Sequence, residues 1–106
     1  MPITRSLSHR GSRSFRETVS SGATSEAVAV HPDAVPISVG LSPAGGATGL
    51  VEYTLSGEAA VNSGTATWRA WTHGPSTTAK DTVLTGPITA LRCTATAGAV
   101  TWEIVA

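Results

Sequence analysis

The stretch that decides the fold class is Pro36-Ile37-Ser38-Val39-Gly40-Leu41-Ser42. Apolar residues alternate here with small ones, so that Ile37, Val39 and Leu41 share one face of an extended chain. The opposite face carries serine and glycine, which tolerate contact with water. This period of two predicts a β-strand over 36–42, with one face in a core and the other exposed.

Comparable segments lie on both sides of this strand, separated by turns rich in glycine, proline and serine at intervals of about 8 to 12 residues. The other predicted strands are Thr24–Val30, Leu50–Ser56, Thr65–Thr72, Asp81–Thr85, Ile88–Ala97 and Ala99–Val105. The last two are expected to pair as a hairpin around Gly98, and Gly57–Gly64 to form a crossover loop. We therefore expect an all-β fold, a small antiparallel β-sandwich of jelly-roll or immunoglobulin-like type with about seven or eight strands.

The composition agrees with this fold. The 106 residues include 16 threonines and 10 valines, which favour strands, and 13% of the chain is charged. The length suits one domain, and no apolar run approaches the roughly 18 residues that cross a bilayer, so no membrane partner is expected. Cys93 is the sole cysteine, so packing rather than an internal disulfide must hold the fold.

The formal net charge is zero, but the basic residues are concentrated at the N-terminus. Four arginines and no acid occur in the first sixteen residues, whereas the remainder has seven acids against three bases. No helical or alternating period is evident over 1–16. We predict an extended basic arm (residues 1–16) followed by a β-sandwich body (residues 17–106). The predicted contacts of the arm with a partner are Arg5, Leu7, Arg10, Arg13, Phe15 and Arg16.

Three interpretations of this arm stay open. It is a solvated tail, a phosphate-binding segment, or an assembly arm that becomes ordered on an acidic protein surface. In the third case Leu7 and Phe15 are its apolar anchors. Direct nucleic-acid binding is the least favoured, because the arm has no aromatic stacking platform and the body behind it is acidic.

The segment Thr65–Thr72 has a tryptophan on each face of its predicted strand. Trp68 is the better candidate for the core. Trp71 is then expected to pack beside the stem of Arg69 or to lie exposed at a partner surface, which makes Arg69 and Trp71 a second candidate contact.

No catalytic or metal centre can be assembled from the sequence. His31-Pro32-Asp33 is interpreted as a turn, in which the proline fixes φ and the aspartate caps backbone donors. The residues that could ligate a metal lack ligand spacing; they are His9, His31, His73 and Cys93. No nucleophile elbow of the Gly-x-Ser-x-Gly type is present. We therefore expect no enzymatic activity, no cofactor and no bound metal.

Four runs taken together resemble small virion proteins of tailed bacteriophages, in particular capsid decoration (cement) proteins. They are SEAVAV at 25–30, VEYTLS at 51–56, GTATW at 64–68 and GPITALR at 86–92. The resemblance implies a non-enzymatic β-domain, a dimer or trimer, that binds the major capsid protein and fastens neighbouring subunits of the shell. It also implies a location on the capsid exterior after assembly in the host cytoplasm.

Two other functions remain open. One is a structural component of the neck or tail of the virion. The other is a glycan-binding accessory domain for attachment to the host, with Trp71 and Tyr53 as candidate stacking platforms.

Overall fold

The computed structural model describes residues 2–8 and 10–106. Within them the chain forms nine β-strands, a 3₁₀ turn over Pro32–Ala34 and one short helix. The strands are β1 (Ile3–Leu7), β2 (Ser14–Val19), β3 (Ala27–Val30), β4 (Ile37–Pro43), β5 (Thr48–Thr54), β6 (Trp68–Ala70), β7 (Lys80–Leu84), β8 (Ala90–Thr96) and β9 (Val100–Val105). The helix is α1 (Glu58–Ser63).

The strands form two sheets that pack face to face. One has the order β1-β3-β8-β5-β6 and the other β2-β9-β4-β7, and all neighbours are antiparallel except β1 and β3. If β2 is counted as the first strand and β9 as the eighth, the four-stranded sheet contains the first, eighth, third and sixth strands in that order. The five-stranded sheet contains the second, seventh, fourth and fifth, with β1 added at its edge. This is the strand order of a jelly roll, so the predicted antiparallel sandwich is confirmed in its jelly-roll form.

The core lies between the two sheets and follows the predicted alternation. In β4, Ile37, Val39 and Leu41 are buried, as the opening stretch of sequence predicts. Trp102 of β9 is the largest fully buried side chain. Apolar side chains from both inner faces form one cluster, which supplies most of the hydrophobic stabilisation.

The predicted C-terminal hairpin is wrong, because β8 and β9 lie in different sheets. Between them Ala97 and Gly98 both have positive φ, 56° and 141°, and the chain crosses from one sheet to the other. A Cβ atom at Gly98 would lie 2.8 Å from the Cβ of Ala47, so this crossing leaves no room for a side chain. Leu91 and Trp102 do both face the core, but from opposite sheets.

Helix α1 stands where a crossover loop was predicted. Such a short helix is unstable alone, so packing must hold it. Its Val61 is buried against Ala27 and Ala90 on the outer face of the five-stranded sheet. Asn62 also accepts a hydrogen bond, through Oδ1, from the backbone N–H of Ile3 at 3.0 Å. The helix thus covers part of one outer sheet face, and no helix of the described chain is long and apolar enough to span a membrane.

The division of the chain into an arm (1–16) and a body (17–106) needs correction. Strand β1 pairs with β3, and β2 pairs with β9 along its whole length, from Ser14 with Val105 to Val19 with Val100. The predicted boundary therefore falls inside β2. The physical reason is that the N-terminal segment supplies the outermost strand on one side of each sheet, covering the backbone of β3 and β9.

Candidate interaction surfaces

The residues predicted as apolar anchors of the arm belong to the protein's own fold. Leu7 is 1% exposed and lies in the main core. The Phe15 ring meets Trp102 edge to face, with centroids 5.3 Å apart, and the Arg5 guanidinium lies 5.6 Å from the Phe15 centroid. Leu7 is therefore not available to a partner, which corrects the prediction for this residue, whereas Phe15 is partly buried against the protein's own core.

Arg10 and Arg13 are exposed in the loop between β1 and β2, and we call these two residues the basic end. The N–H of Gly11 donates to Ser8 Oγ at 2.9 Å, and the N–H of Ala106 donates to the carbonyl of Arg13 at 2.7 Å, which ties Arg13 to the end of β9. No ion pair within residues 2–8 and 10–106 involves either arginine. Two cationic groups thus project from one end of the sandwich.

Trp71 is 4% exposed, so the prediction that it lies at a partner surface is wrong. The strand ends at Ala70, one residue earlier, and the chain then turns. The Trp71 backbone still donates to the carbonyl of Val51 at 3.0 Å, while its indole Nε1 donates to the carbonyl of Gly74 at 2.8 Å. Its ring cannot act as an exposed platform for a sugar.

Trp68 and Arg69 lie on the edge strand β6. Trp68, predicted as core, is half-buried on the outer face of its sheet, with the Arg92 guanidinium 4.3 Å from a ring centroid. Arg92 Nε also lies 3.0 Å from Glu52 Oε1. Arg69 is exposed, whereas Trp71 is buried.

A polar cleft of about 290 Å³ opens between β1 and β2. Its lining residues are Thr4, Arg5, Phe15, Arg16, Glu17, Glu26 and Val28. Glu17 points inward, and its Oε1 accepts a hydrogen bond from Trp102 Nε1 at 3.1 Å. That bond satisfies the buried indole donor, so Glu17 has a structural role in the core.

The outer face of the four-stranded sheet is exposed, and strand pairing aligns its side chains in three rows. The valine row is Ser14, Val105, Ser38 and Val83; the charged row is Arg16, Glu103, Gly40 and Asp81; the hydroxyl row is Thr18, Thr101 and Ser42. A groove of about 350 Å³ runs along this face beside Gly40. This surface was not predicted from the sequence, although the run of small outward residues in β4 is a signal for it.

Within the part of the chain that the structure describes, His31, His73 and Cys93 lie in separate environments. His31 caps the predicted turn, since its Nδ1 accepts from the Asp33 N–H at 3.2 Å. His73 Nε2 lies 2.7 Å from the carbonyl oxygen of Asp81. Cys93 is buried, and His9 lies outside the described residues. Within the described ranges no group of three or more potential ligands could hold a metal ion.

We predict that Cys93 is inert in the folded protein. Burial raises the pKa of its thiol from 9.0 to about 12, and the nearby Glu17 carboxylate adds to this rise. The reactive thiolate is therefore scarcer at about pH 8 than in the unfolded chain. A thiol reagent should label the native protein far more slowly than the urea-unfolded protein. Equal labelling rates would contradict this burial.

Comparisons with known proteins leave the function to be inferred from these surfaces. The chain matches no protein family, no curated protein and no solved structure. What the structure offers for binding is the basic end and the outer face of the four-stranded sheet.

Proposed function

We propose that this protein is a capsid decoration (cement) protein that binds the outside of a phage head and bridges neighbouring major capsid subunits. The observation that carries the proposal is the basic end, where Arg10 and Arg13 are exposed and have no acidic partner among the described residues. Such groups suit an acidic patch on a neighbouring protein. The jelly-roll architecture, which recurs in viral capsid domains and in lectins, is compatible with this role without establishing it.

The mechanism differs from that of a flexible arm. Strands β1 and β2 flank the basic end and already belong to the two sheets, so binding does not require residues 3–7 and 14–16 to become ordered. Each contact can then be weak, because a homo-oligomer that meets several capsid subunits gains affinity from multivalency. Repeated over the shell, these bridges would oppose the separation of subunits.

The test removes the charge of the basic end and keeps the fold. The double variant Arg10→Ser, Arg13→Ser is expected to bind empty shells, built from the major capsid protein of the same genome, at least 10-fold more weakly in a co-sedimentation assay. Both side chains are exposed, so the unfolding temperature should stay close to that of the wild type. Binding by the wild type should weaken as salt is added.

The double variant Arg10→Lys, Arg13→Lys is the matched control, because it changes the same two exposed positions and keeps both positive charges. Its shell occupancy should equal that of the wild type. Full occupancy by the double variant would remove the basic end from the mechanism. Failure of the wild type to bind shells, with labelled protein found at the neck or tail of virions, would favour the other structural role.

A further inference from the structure

The outer face of the four-stranded sheet has a ridge and a trough of matching length. Strand β9 presents Thr101, Glu103 and Val105, whereas the neighbouring β4 presents only small residues. The trough is deepest at Gly40, which has no side chain, and the groove beside it is also lined by Lys80 and Asp81. A surface of this shape can receive the ridge of a second sheet.

We propose that two copies of the protein associate through this face, with a two-fold axis along the strands. Rotation about this axis reverses the order of the strands in the second copy. Each row of side chains still faces the same row of the other copy. Strand β9 of one copy then lies over β4 of the other, as in the aligned packing of two sheets. The contact is isologous and closes as a dimer. This proposal does not depend on capsid binding.

The valine row is complementary to itself in this arrangement. Val83 and Val105 are 57% and 56% exposed, and both lie on this face. Val105 would face Ser38 of the second copy, and Val83 would face Ser14. The four valines of the two copies then interleave in one continuous line. Their burial supplies the apolar part of the contact.

The charged row brings opposite charges together at its two ends. Its order is Arg16, Glu103, Gly40, Asp81, so reversal places Arg16 opposite Asp81 of the second copy, twice in the dimer. Glu103 enters the space over Gly40 and keeps its own Arg16 nearby, with Nε to Oε2 at 3.8 Å. The row holds two carboxylates for each arginine, so its attraction comes from the Arg16–Asp81 pairs at its ends.

The size of the face sets the expected strength. Four strands about 4.8 Å apart and three rows of side chains cover on the order of 400 Å² per copy, which places the contact among small, weak interfaces. We therefore expect a dimer with a dissociation constant in the micromolar range. Sedimentation equilibrium at high micromolar concentration should show the mass doubling from 10.7 kDa.

The first test fills the trough with Gly40→Val. A Cβ at this position meets only the carbonyl oxygen of Lys80, at 3.9 Å, and valine favours strands, so folding should not suffer. The variant is expected to dimerise at least 10-fold more weakly. Thr96→Val, an exposed strand residue of the other sheet, is the matched control and should dimerise like the wild type.

The second test exchanges charges between copies. Arg16→Glu alone and Asp81→Arg alone should each be monomeric, because like charges then face each other twice. An equimolar mixture should form a heterodimer, because each new charge meets its opposite across the contact. A mixture that stays monomeric while the wild type dimerises, a wild type that is monomeric at high micromolar concentration, or a trimer would overturn the proposal.

Discussion

A chain shortened to residues 17–106 is expected to lose its cooperative fold. The deletion removes β1, half of β2 and the buried side chain of Leu7. Truncating one buried leucine costs about 2 to 5 kcal/mol, and small domains have only about 5 to 15 kcal/mol of stability in total. The loss of β1 and half of β2 as well exceeds that margin. Circular dichroism and urea unfolding of the shortened chain should show no native baseline.

Two variants of the full chain separate packing from charge in this effect. Leu7→Ala should lower the free energy of unfolding by about 2 to 5 kcal/mol with all four arginines kept. Arg10→Ser, Arg13→Ser should leave it within about 0.5 kcal/mol of the wild-type value. A shortened chain that unfolds at the wild-type urea midpoint would show that the first sixteen residues are separable from the sandwich.

Replacing Trp71 by alanine should be far more damaging than replacing Trp68. Trp71 is 4% exposed and donates its indole N–H to the carbonyl of Gly74, so its removal leaves a cavity and costs that carbonyl one of its two hydrogen bonds. We expect a loss of about 3 to 5 kcal/mol in the free energy of unfolding. Trp68 is half-buried, so its replacement by alanine should lower the free energy of unfolding markedly less. That loss would come chiefly from its contacts with Arg92 and with the small cluster under α1.

Urea unfolding of the two variants side by side measures this difference. Trp71→Phe is a useful third variant, because it keeps most of the apolar volume and removes the Nε1 donor. It should fall between the wild type and Trp71→Ala. A larger loss for Trp68→Ala than for Trp71→Ala would mean that the two rings have been assigned to the wrong environments.

Alternation along single strands predicted much of the fold. It located β4 and β7 to within one or two residues and placed Ile37, Val39 and Leu41 in the core. It failed for β8 and β9 because a period of two fixes which side chains face inward, but not which strand lies alongside. Inward residues look the same whether the chain turns back in one sheet or crosses to the next.

The N-terminal strands were missed for a different reason. In β2 the inward positions are Phe15, Glu17 and Val19, so a carboxylate interrupts the apolar series. Only the fold supplies the indole of Trp102 that makes an inward Glu17 acceptable. The exposed arginines of the segment were visible from composition, whereas the outer face could not be predicted. Its charged row joins Arg16, Glu103 and Gly40, which are far apart in the sequence.

The interlocking of strands between the two sheets constrains how the chain can reach its native state. Strand β9 lies between β2 and β4, although both come long before it in the sequence. The four-stranded sheet cannot form completely until the chain beyond residue 100 has left the ribosome. Until then β2 and β4 each have an unpaired edge on the side where β9 will lie. Such non-local pairing slows folding and exposes unpaired edges to aggregation. Synthesis of this protein should therefore benefit from chaperones that hold the nascent chain until it is complete.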